Sequence, residues 1–127
     1  MENLTFLLSG LVIGIILFHT AVIAPTVFKR LSLDDAGSFL RTVFPKFFVF
    51  ISGVSFLNVA VAGFFSQWSI AAVAGISGVL MVIAYGLIPM TNRSRDEGQE
   101  QRFKQLHTVS VLLTVSVLLM NLAVVFL

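Results

Sequence analysis

Residues 3–28, 47–92 and 105–127 contain no Asp, Glu, Lys or Arg, and every charge beyond Glu2 falls in the two stretches between them. A helix needs about 20 apolar residues to cross a hydrocarbon core of about 30 Å. The first run therefore predicts one transmembrane helix, over 4–28. The second is too long for one helix, and Gln67-Trp68 is the polar break near its middle. It predicts two, over 47–66 and 69–90, joined by a tight turn with Trp68 at the interface. The last run predicts a fourth, over 106–127.

The polar stretches differ from each other. Lys29-Arg30 ends the first helix, and Ser32 with Asp35 resembles a capping box, although Glu or Gln is usual at the second position. Apolar residues then recur at Leu33, Ala36, Phe39, Leu40, Val43 and Phe44, while Asp34, Asp35, Ser38 and Arg41 take other faces. That spacing predicts a short amphipathic helix over 33–44 lying in the membrane interface, with Phe39 on its buried face. Pro45 closes it. The mixed charges of RSRDEGQEQRFK, inside 91–105, predict a solvated loop. The expected fold is all-α: one integral membrane domain over 1–127, a bundle of four transmembrane helices with an interfacial helix between the first two.

Composition agrees. Hydrophobic residues make up 57% and charged residues 11% of the chain, against about a quarter charged in soluble domains. There is no cysteine, which removes thiolate chemistry and disulfides. Glu2 stands where a secretory signal would be basic, so no such signal is expected. Lys29, Arg30, Arg41, Lys46, Arg93, Arg95, Arg102 and Lys104 all lie in the first and third connections. By the positive-inside rule, loops 29–46 and 91–105 are cytoplasmic and both termini outside, as in a bacterial inner-membrane protein. No basic face exists for nucleic acid. The expected partners are the lipid bilayer and either a second copy or another membrane protein.

Small residues mark close approaches: Gly10 and Gly14 on the first helix, and Ala71, Ala74, Gly75, Ser77 and Gly78 on the third. A short internal echo, IAPT before the first basic loop and IPMT before the second, suggests a parallel repeat of two hairpins.

Chemistry, if any, centres on His19. It is the one titratable side chain deep in a predicted span, and such residues are functional candidates by default. Thr5, Val12, His19 and Thr26 recur every seven residues and share a face. His107, Ser110, Thr114 and Asn121 share a face of the last helix, so the two faces are expected to meet, with His19 bonded to Thr114 or another hydroxyl of the bundle rather than facing lipid. His107 sits near the interface, where an ordinary hydrogen-bonding role suffices. A haem b iron held by His19 and His107 is an alternative, opposed by a difference in depth of roughly 10 Å at the helical rise. His19 is the best metal-ligand candidate. Asn58 and Asn121 read as interhelical bonds, worth about 1 kcal/mol each. Asp96, Glu97 and Glu100 lie among bases and read as a solvated loop. No nucleophile-base set or paired membrane carboxylates can be assembled, so a catalytic role is disfavoured.

The segment APTVFKRLSLDDAGSFLRTVFPKFF, with RFKQLHTVSVLLTVSVLLMNL later, resembles the DUF4149 family, which includes the transmembrane protein 205 group. The shared features are the small-residue-Pro, the Phe-basic-Leu turn, an Ala-Gly helix ending in Phe-Pro, and the Phe-x-x-Leu-His opening of the last helix. The resemblance implies a four-helix membrane protein without an assigned activity. CopD copper-handling domains and HemJ-type protoporphyrinogen oxidases are only distantly similar, and the tryptophan-glycine and Arg-x-Phe-x-Tyr-His patterns of the latter are absent. The sequence thus points to a non-enzymatic membrane protein that binds or helps move a small ligand, or stabilises a partner. A haem- or metal-binding redox protein is the alternative.

Overall fold

The computed structural model describes residues 3–127; Glu2, which precedes the first charge-free run, lies outside them. The described residues form four long helices and no strand. They are α1 (Leu4–Arg30), α2 (Leu33–Phe64), α3 (Trp68–Asp96) and α4 (Glu100–Phe126), of 27, 32, 29 and 27 residues. Each is apolar and long enough to cross a membrane. In lipid this is the expected outcome, because a helix satisfies its backbone polar groups within one segment. At about 1.5 Å per residue the helices are roughly 40 to 48 Å long, so they extend past a hydrocarbon core of about 30 Å.

Short connections make neighbouring helices antiparallel. α1 packs on α2 and α4, α2 on α3, and α3 on α4, which closes a four-membered ring. At its centre lie Val12 and Ile16 of α1, Phe47, Phe48 and Ile51 of α2, Met81 and Ala84 of α3, and Val117 of α4. The outer surface carries exposed Leu, Val, Ile and Phe from all four helices, as a lipid-facing surface requires. The small face of α3 is used: Ala74, Ser77 and Gly78 are buried, and a Cβ on Gly78 would lie 2.7 Å from the Phe56 ring. Gly10 and Gly14 have open space beside them instead, so they serve no approach within this chain.

The interfacial helix is not a separate element. Residues 33–44 form the first turns of α2, which runs straight through Pro45. Proline removes only one donor, here the partner of the Arg41 carbonyl, and several contacts hold the preceding turns in line. Ser32 caps the helix, accepting from the Asp35 backbone N–H at 3.1 Å. Ala36 and Leu40 pack on Val27 of α1. The Arg41 guanidinium pairs with the Asp96 carboxylate at the end of α3, Nη1 lying 3.2 Å from Oδ2. The inward side of this stretch is therefore Ala36, Gly37 and Leu40, while Phe39 faces outward. The second polar stretch is also more helical than its charges suggest: α3 continues to Asp96 and α4 begins at Glu100.

The two remaining turns are built alike. After α2, Gln67 N–H bonds to Ala62 O and Ser66 N–H to Gly63 O; after α3, Gln99 N–H bonds to Ser94 O and Gly98 N–H to Arg95 O. Both pairs form Schellman motifs, which need a left-handed residue. Gly98 supplies it at φ 72°, whereas Ser66 adopts φ 57°. Because that region penalises a Cβ, Ser66→Gly should raise stability by up to about 1 kcal/mol and Gly98→Ala should lower it by about 1 kcal/mol. Unfolding in mixed micelles measures both.

Candidate functional site

The course of α1 is interrupted in one place. His19–Ile23 form a π turn, in which the Ala24 N–H reaches back five residues to His19 O. Pro25 follows directly. Its ring would clash with the carbonyl four residues earlier in a regular helix, and one extra residue in the turn accommodates it. The insertion changes which side chains face inward. Thr5, Val12 and His19 are buried as their seven-residue spacing predicts, but Thr26 is exposed and Val27 is buried in its place. The predicted face holds through His19 and is displaced by one residue beyond it.

His19 opens this turn and is 6% exposed. Its ring lies against α2, stacked on Phe47 at a centroid distance of 4.4 Å and roughly perpendicular to Phe44 at 5.0 Å. Phe48 lies against both phenyl rings, 5.8 Å from Phe44 and 5.4 Å from Phe47. Positions 44, 47 and 48 fall on one helical face, which sets this aromatic group opposite the π turn. The rings fix the imidazole plane without offering a hydrogen-bond partner, and Nε2 is buried and unpartnered. The expected bond to Thr114 is not made; the Thr114 hydroxyl donates to Ser110 O at 2.9 Å.

The other candidates are dispersed. Asn58 Nδ2 donates to Ser9 Oγ at 3.1 Å and to Thr5 O at 3.3 Å, joining α2 to α1. Asn121 Nδ2 donates to Ser77 Oγ at 3.0 Å and to Val117 O at 2.8 Å, joining α4 to α3. Asn58 and Asn121 thus tie together the pairs α1–α2 and α3–α4. Ser110 is half-buried, and His107 is exposed, its ring parallel to that of Phe103 at 5.9 Å. His19 and His107 are not brought together. Sequence reasoning missed Phe44 and Phe47 as the neighbours of His19. The Phe44, Phe47, Phe48 spacing and the proline six residues after His19 were the available signals.

A closed ring of four membrane-length helices with an apolar exterior defines an integral membrane four-helix bundle. The chain belongs to the DUF4149 family: residues 7–100 match the family model described as Domain of unknown function (DUF4149). No curated protein and no solved structure matches it.

Proposed function

We propose that this is a non-enzymatic membrane protein that binds a small ligand at His19 and holds or passes it within the bundle. The observation that carries the reading is the unpartnered Nε2 of His19. A buried polar atom left without a hydrogen bond costs about 1–3 kcal/mol, and a native interior contains few of them. Ser55 Oγ, Asn58 Oδ1 and Gln67 Oε1 share this condition, but His19 alone of these is an ionisable group able to ligate a metal. Imidazole presents a donor at one nitrogen and an acceptor at the other. Phe47 covers one face of the ring and Phe44 packs beside it, and a partner for the free nitrogen would be a hydroxyl, an N–H or a metal meeting it in the ring plane.

A metal or haem b on His19 is a second form of the same reading, resting on the same nitrogen. Among the described residues no group of three or more His, Cys, Asp or Glu side chains can hold a metal. His19 would then supply one ligand and a second chain or the bound molecule the others.

The test compares the parent with His19→Leu and His19→Gln, each purified in mild detergent, by absorption spectrum, metal content and mass spectrometry of extracted small molecules. One species should accompany the parent in stoichiometric amount and fall at least tenfold in His19→Leu while thermal stability is kept. Identical content in all three proteins would overturn the proposal.

The same reading places the basic end of the bundle in the cytoplasm, with both termini outside a bacterial inner membrane. A cysteine probe reads this directly, because the parent has none. Ser38, Gln99 and Ser69 are all exposed, whereas Ser94 is buried. Ser69→Cys should label with an impermeant thiol reagent in intact cells, and Ser38→Cys and Gln99→Cys only after permeabilisation. The reverse pattern would invert the orientation.

A further inference from the structure

At the basic end, the first turns of α2 and the last turns of α3 run side by side and leave an open cleft of about 440 Å³. Its walls carry four charges. Arg41 and Asp96 are committed to each other, and Arg41 Nη2 also lies 3.4 Å from Asn92 O. The other two, Arg95 and Asp34, line the cleft and, among the described residues, make no hydrogen bond or ion pair, although Arg95 is near enough to Asp96 to act on it through its charge.

Arg95 is held without spending its hydrogen-bond donors, and Asp96, which is already bonded to Arg41, offsets its charge only from a distance. Its guanidinium lies against Gly37, whose missing Cβ would come within 2.7 Å of Nη2 and 3.0 Å of Nη1. Its Cζ also sits 5.9 Å from the centre of the Phe103 ring of α4. Glycine permits that close approach, and the aromatic face favours a planar cation. The group is thereby oriented while its N–H donors remain unspent, and a guanidinium fork suits the oxygens of a phosphate. Asp34 precedes Gly37 by three residues, so the two share a face of α2 about one turn apart. A single small anion on Arg95 would also meet the carboxylate of Asp34. A ligand with a phosphate and a protonated amine a few atoms apart would satisfy both groups.

We propose that this cleft binds the headgroup of a zwitterionic aminophospholipid, with the phosphodiester on Arg95 and the primary ammonium on Asp34. The surroundings fit a lipid better than a free molecule. The cleft lies where the apolar parts of α2 and α3 give way to charge, the level at which headgroups sit. Leu33 and Phe39, on the same turns, are exposed and can lie along an acyl chain. Among common headgroups only a primary amine offers N–H donors to the Asp34 carboxylate. A quaternary ammonium has none, and a glycerol headgroup adds no positive charge.

The test uses the full chain reconstituted in phosphatidylcholine vesicles doped with phosphatidylethanolamine or phosphatidylglycerol. Lipid retained after mild detergent extraction is counted by native mass spectrometry. Phosphatidylethanolamine should be retained at least fivefold over either of the others. Asp34→Asn should abolish the preference over phosphatidylglycerol while leaving phospholipid bound, and Arg95→Gln should reduce all selective retention. Both side chains are exposed, and a thermal unfolding scan confirms that the variants remain folded. Should Arg95→Gln fail that scan, the lipid ratio of Asp34→Asn decides. Equal retention of phosphatidylglycerol by the parent, an unchanged ratio in Asp34→Asn, or displacement of the lipid by millimolar inorganic phosphate would each overturn the proposal.

Discussion

Ile51→Ala is expected to cost the bundle roughly 2 kcal/mol, whereas Phe50→Ala, which removes more atoms one position away, should cost less than about 0.5 kcal/mol. Ile51 is 0% exposed and touches the central cluster, while Phe50 is 58% exposed. In water both truncations would lose transfer free energy. In a bilayer the separated helices already have their side chains in hydrocarbon, so no such driving force acts between them. What remains is packing, which lipid tails replace at Phe50 and nothing replaces at Ile51. A residual cavity on the order of 80 Å³, at about 24 cal/mol per Å³, gives the stated cost. Reversible unfolding by denaturing detergent in mixed micelles measures both variants. Equal costs would mean that α2 presents a different face to the bundle.

Deleting one residue from α1 should be tolerated at one place and ruinous at another. The π turn holds an extra residue, so deletion of Val22 combined with Pro25→Ala should convert it to regular helix. Val27 would then fall on the seven-residue face of Thr5, Val12 and His19, and both halves of α1 would keep their buried sides. Deletion of Leu11, equally lipid-facing, has no bulge to absorb it. It would turn Thr5, Leu8 and Ser9 by about 100° against the rest of the helix, exposing them and stripping Asn58 of its partners. The first variant should express and purify near the parental level, and the second should be lost to proteolysis. Similar yields of the two would show that the π turn does not carry the insertion.

The four spans were legible because charge-free runs and helix length are local properties of a chain. So was the Ser32 cap, which depends on residues three apart. The continuation of α2 through Pro45 was not, because the proline reads locally as a stop. The contacts that override it, Arg41 with Asp96 and Leu40 with Val27, join residues far apart in sequence. The same limit applies to Phe39, which periodicity places on the membrane-buried face of an interfacial helix and which faces away from the bundle on α2. In a bilayer both faces of a helix are apolar, so periodicity distinguishes them poorly. At the site, His19 stood out by its chemistry, but its surroundings did not. One inserted residue in the π turn moved Thr26 outward, and the rings that hold the imidazole come from α2. Thr114 shares the polar face of its helix, but a helical face does not fix which side chain of the neighbouring helix it meets.

The most direct measurement is the ring ¹⁵N spectrum of His19 in the full chain, taken in native lipid and again after delipidation. The protein has two histidines, and His107→Gln, at an exposed position, leaves one. The account predicts that Nε2 is bonded to a species lost on stripping, so its resonance shifts between the two samples and shows no coupling to a group of this chain. An unchanged resonance, hydrogen-bonded to a residue of the bundle in both samples, would contradict it.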